Sequence, residues 1–83
     1  GMDIKKLSFV ATLKTNGGIG ALWVYVDGTL RANLSTASTG YVVVTGEYAP
    51  EWEDNTVHTL EVGLSNLSAS YTTYNQVFEV YVE

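Results

Sequence analysis

The 83-residue chain has no cysteine, one proline, one histidine, one methionine and only four basic residues. Each shortage excludes something. Without cysteine, neither disulfides nor thiolate metal sites support the fold. One histidine without cysteine also argues against zinc. The basic residues are Lys5, Lys6, Lys14 and Arg31, set against nine acidic ones for a net charge of −5. They assemble no patch able to neutralise phosphates, so nucleic acid and anionic membrane surfaces are not expected partners. No apolar run reaches the roughly 18–20 residues of a membrane-spanning helix, so membrane insertion is not expected.

What is present is apolar and aromatic. Hydrophobic residues make up 46% and aromatics 12%, enough for a globular core. A chain this short buries only roughly 60–65% of the surface it exposes when unfolded, so that core is modest. Gly1 and Met2 read as a cloning remnant, and residues 3–83 as one domain. The chain stops just after a strand-like run, which fits a module cut from a longer protein. Abundant Ser, Thr, Tyr, Gly and Asn lean towards an extracellular or cell-surface setting.

The periodicity is that of strands. In Val57–Leu64, His58, Leu60, Val62 and Leu64 fall on one face and Thr59, Glu61 and Gly63 on the other. A period of two is what a half-buried strand requires. Leu60, Val62 and Leu64 are therefore expected in the core, and Val62→Asp is expected to unfold the domain. Residues 3–14 alternate in the same way through Leu7, Phe9, Ala11 and Leu13. Ala21–Val26 is apolar on both faces, as in a central strand whose second face is covered or one carrying an aromatic surface patch. Asp27-Gly28 then marks a two-residue hairpin turn. Leu30, Ala32 and Leu34 are expected to face inward on the return strand. Tyr41–Tyr48 carries the β-branched run Val42-Val43-Val44-Thr45, and Gly46 suggests a bulge or bend. Ser70–Tyr74 is a short strand or an irregular crossing, and Val77–Val82 closes the chain. No segment holds a 3.6-residue apolar period, so essentially no helix is expected. Six or seven short strands separated by turns predict an antiparallel β-sandwich of Ig-like kind.

Three stretches carry a resemblance. Leu22–Thr29, with its Asp27-Gly28-Thr29 turn, resembles the strand-and-hairpin of PKD and bacterial Ig-like modules. Thr56–Asn66 resembles their "HTLTVTVSN" strand and turn, and Gln76–Glu83 their closing "TFTVTVE" strand. The chain departs from the PKD pattern in reading Val24-Tyr25-Val26-Asp27-Gly28, without an earlier Asp-Gly pair. The resemblance implies a non-catalytic extracellular module acting as a spacer, adhesion or interaction unit beside neighbouring domains. A viral or other structural decoration subunit is a further alternative.

Candidate sites are sparse. His58 has no nucleophile-elbow motif around it and reads as a packed histidine at a strand start. Glu47, Glu51, Glu53, Asp54 and Asn55 offer oxygen ligands that calcium would accept, with Asp27 joining if its hairpin lies at the same end. Without Asp-x-Asp spacing, a solvated acidic loop is the favoured reading, and no cofactor is expected. Tyr48, Glu51, Trp52 and Glu53 could form an aromatic and polar platform for a carbohydrate or protein ligand. The competing reading makes Trp52 a hydrophobic plug at the end of the sandwich. Trp23 and Tyr25 form a second aromatic pair, with Trp23, in mid-strand, expected in the core or under a covering segment. Asn33 and Asn66 each open an N-x-S/T acceptor pattern.

Overall fold

The computed structural model describes residues 4–50, 52 and 57–83. Six strands follow one another: β1 (Leu7–Thr15), β2 (Gly20–Val26), β3 (Thr29–Thr36), β4 (Val42–Tyr48), β5 (Leu60–Asn66) and β6 (Thr73–Val82). They form two three-stranded antiparallel sheets, ordered β4-β1-β6 and β3-β2-β5. The expected all-β sandwich is present, with six strands and no helix among the described residues. The last two strands lie in different sheets. In the immunoglobulin constant-type sandwich they share one. This division leaves β5 and β6 as outer strands on the same side of the molecule.

Local chemistry explains the frame. Asp27 (φ 51°) and Gly28 (φ 83°) take the paired positive-φ geometry of a two-residue hairpin, joining Val26 to its partner Thr29. The two central strands supply most of the core: Leu7, Phe9, Ala11 and Leu13 from β1, and Leu22, Val24 and Val26 from β2. Leu34 of β3 completes it from the side. Each of the larger side chains among them, Ala11 apart, contributes roughly 1.5–3 kcal/mol relative to exposure. At that side the two sheets close on each other. Gly46 gives the closure room, since a Cβ there would lie 3.2 Å from the Leu34 side chain and Leu34 would have to shift by a few tenths of an ångström. Gly46 stands opposite Phe9 in an unbroken ladder, so it serves close approach and not the bulge expected of it.

Two other expectations change. The register of β2 with β3 shifts between Val24 and Tyr25, leaving Arg31 as the extra residue. The shift turns Leu30 off the inward face, and it is exposed. Residues 73–82 form one strand whose ladder with β1 shifts at Thr12/Leu13, so the irregular crossing and the closing strand are continuous.

Candidate functional site

One end of the sandwich is capped by three side chains. Ile4 and Trp52 form an isolated antiparallel bridge through paired backbone hydrogen bonds of 2.9 and 2.8 Å, placing Trp52 over the end of the β1 sheet. The Trp52 ring stacks on His58, with centroids 3.7 Å apart and planes 4° from parallel. His58 Nδ1 lies 2.7 Å from Asp27 Oδ2, and the Thr59 amide donates to Asp27 Oδ1 at 2.9 Å. Asp27 stands on the β2–β3 turn, so the chain Ile4–Trp52–His58–Asp27 ties one sheet to the other. The Thr59 amide first, and His58 second, hold the Asp27 carboxyl below its ordinary value. Stabilising a charged carboxylate by donated hydrogen bonds has this sign.

The opposite end is latched by polar groups. Asn66 Nδ2 donates to Thr15 Oγ1, Gly17 O and Thr73 Oγ1 at 2.9, 3.0 and 3.2 Å. Thr73 Oγ1 in turn donates to the Ser65 carbonyl at 2.7 Å. Thr15 and Thr73 are the buried polar residues of the core, and this network satisfies them.

Between cap and latch, the β5–β6 side is open. Leu60, Val62 and Leu64 pair with Val26, Val24 and Leu22, so they share the inward face of their sheet. Phe78, Val80 and Val82 likewise pair with Ala11, Phe9 and Leu7. Yet Leu60, Val62 and Leu64 are 41%, 49% and 47% exposed, and Val80 and Val82 are exposed too. This corrects the expectation that Leu60, Val62 and Leu64 are core. The face was assigned correctly, but among the described residues no strand lies beyond them to close it. Leaving a side chain of this size half exposed forgoes about 1 kcal/mol. Over five residues that is a large fraction of the ~5–15 kcal/mol net stability of a domain. Towards the cap the opening deepens into a cavity of about 330 Å³ lined by Ile4, Leu7, Trp52, His58, Leu60 and Val80, among others.

The sequence-predicted residues scatter over this frame. Trp52 is half-buried and packs against the core as well as against His58. Tyr48 also packs on the core, beneath the Arg31 guanidinium at 4.8 Å. Glu47 is exposed and lies 3.7 Å from Lys6, which also reaches Glu83 at 3.3 Å. Glu51, Glu53, Asp54 and Asn55 lie outside the described residues. Among the described residues, no three His, Asp or Glu side chains gather as metal ligands. The Asp27 hairpin does lie at the Trp52 end. Trp23 and Tyr25 are half-buried on the outer face of β2, and the Trp23 indole N–H has no acceptor among the described residues. Asn33 is exposed, whereas the Asn66 amide is engaged in the latch.

Sequence reasoning missed the cleft because alternation shows which face is apolar, not whether a neighbour covers it. It also missed the Asp27–His58 pairing. The available signal was that a turn aspartate and a strand-start histidine flank segments that run antiparallel side by side. No protein-family model, curated protein or solved structure matches the chain.

Proposed function

We propose that this chain is a non-catalytic interaction module whose contact surface is the apolar cleft between β5 and β6. One observation carries the reading: side chains patterned for a core stand at an opening between two unpaired strand edges. Contiguous exposed apolar surface bordered by free backbone donors and acceptors suits a partner that adds extended chain. The histidine is taken up by Asp27 and Trp52 in capping the sandwich, which favours structure over chemistry at that end. A place within a larger secreted or cell-surface protein is supported by the likeness to PKD and bacterial Ig-like modules in Leu22–Thr29, Thr56–Asn66 and Gln76–Glu83. The carbohydrate reading has less support, because His58 covers one face of the Trp52 ring.

A peptide titration tests this. The probe is a nine-residue peptide alternating valine with serine and ending in lysines; the control replaces each valine by serine. Trp52 lines the cleft and reports through its fluorescence. The valine peptide is expected to give a saturable change that the control lacks and that Val80→Lys abolishes. Equal responses to both peptides, or none to either at concentrations where the chain is monomeric, would overturn the proposal.

A further inference from the structure

We infer that the occupant of the cleft is a second copy of this chain, docked side by side about a two-fold axis between the sheets' free edges. The inference rests on reading the cleft as an interaction surface, and it names the partner.

The first argument is the number of free edges. Among the described residues β5 pairs only with β2, and β6 only with β1, so one edge from each sheet borders the opening. A single extended peptide lies in one sheet and satisfies one edge. A second copy brings two edges at the same spacing and, under a two-fold, satisfies both. The result is two continuous six-stranded sheets with the clefts closed against each other.

Register and charge provide the second argument. Antiparallel pairing centred on Val62 sets Leu60 opposite the partner's Leu64, and Glu61 opposite the partner's Gly63. Pairing centred on Val80 sets Phe78 opposite the partner's Val82, and Glu79 opposite the partner's Tyr81. Apolar residues then meet inside, and no carboxylate faces another directly. On the outer face the Tyr81 hydroxyl donates to Glu79 within one protomer, so the residue set opposite the partner's Glu79 is an uncharged one.

Third, the edges carry few of the devices that block strand pairing. Neither β5 nor β6 contains proline, lysine or arginine, and the inward positions 60, 62, 64, 78, 80 and 82 are all apolar. The exposed inward side chains of Leu60, Val62, Leu64, Val80 and Val82 form one apolar stripe along the opening, the kind of surface that marks an interaction site.

Sedimentation and cross-linking of the whole chain test the inference. The wild type is expected to be a dimer by 100 µM, and Val80→Lys to weaken association at least tenfold while keeping its strand spectrum. On this cysteine-free chain, Val62→Cys and Val80→Cys lie at the two-fold, where opposed strands come within disulfide reach. Oxidation is expected to yield covalent dimers from both, and not from Val43→Cys on the outer strand β4, itself 66% exposed. A chain that stays monomeric at 1 mM, a dimer unaffected by Val80→Lys, or an open-ended series of sizes would overturn the inference. If the chain is monomeric yet binds the valine peptide, the cleft serves a different partner. If it does neither, both readings fail.

Discussion

At the scale of single residues, two polar side chains secure the ends of a sandwich whose middle is apolar. Asn66 uses one amide nitrogen for three acceptors and its carbonyl oxygen for the Ser68 amide. Asn66→Ala removes these hydrogen bonds while Thr15 and Thr73 keep those to Gly17 and Ser65, a loss of roughly 1–3 kcal/mol in all at about 0.5–1.5 kcal/mol net per bond. Denaturant titration is expected to show a loss in that range, and a loss below 0.5 kcal/mol would remove the latch from the account. Asp27 secures the other end, and its effect depends on pH. A carboxyl held below its ordinary value of 3.8 stabilises the fold above that pH, and the contribution is lost as pH falls through the depressed value. The melting temperatures of wild type and Asp27→Asn are therefore expected to differ near neutrality and to converge on acidification below about pH 4. Parallel curves across that range would show that the Asp27 contacts with Thr59 and His58 do not hold the end together.

At the scale of elements, the strands were legible where neighbours on both sides made alternation and burial coincide. In β1 the alternating set Leu7, Phe9, Ala11 and Leu13 is buried, whereas in β2, apolar on both faces, alternation did not say that Leu22, Val24 and Val26 and not Trp23 would face the core. The Asp27-Gly28 turn was equally legible, because two positive-φ residues between strands admit few sequences. Legibility failed where a property belongs to a pair of elements. Leu30 left the inward face through a one-residue shift against β2, which nothing in its own strand announces. Gly46 reads as a break in isolation, and only the approach of Leu34 gives it a packing role. β5 shows the limit best. Its period of two was correct to the residue, yet its burial depended on where β6 went. Because β6 joined β1, the apolar face of β5 faces an opening. Of the candidate site, Trp52 was legible as an end plug; its bridge to Ile4 and its stack on His58 were not, because they join segments far apart in sequence.

At the scale of the whole molecule, the sandwich is asymmetric in cross-section. The β3–β4 side is closed by Leu34 packing over Gly46 and by Arg31 over Tyr48. Among the described residues the β5–β6 side is joined at its ends, by the cap and the latch. A small all-β domain of this size has little stability in reserve, so an uncovered apolar side has a thermodynamic reason to be covered. That asymmetry is the central claim, and Val24 and Val62 test it directly. The two residues are paired neighbours on one sheet face, 0% and 49% exposed. Val24→Asp places an unpaired charge in the core and is expected to abolish cooperative melting. Val62→Asp places the same charge at the opening, where water reaches it. Thermal melting followed by circular dichroism is expected to show Val62→Asp folded and cooperative while Val24→Asp is unfolded. If Val62→Asp unfolds as Val24→Asp does, the β5–β6 side is closed and the account is wrong.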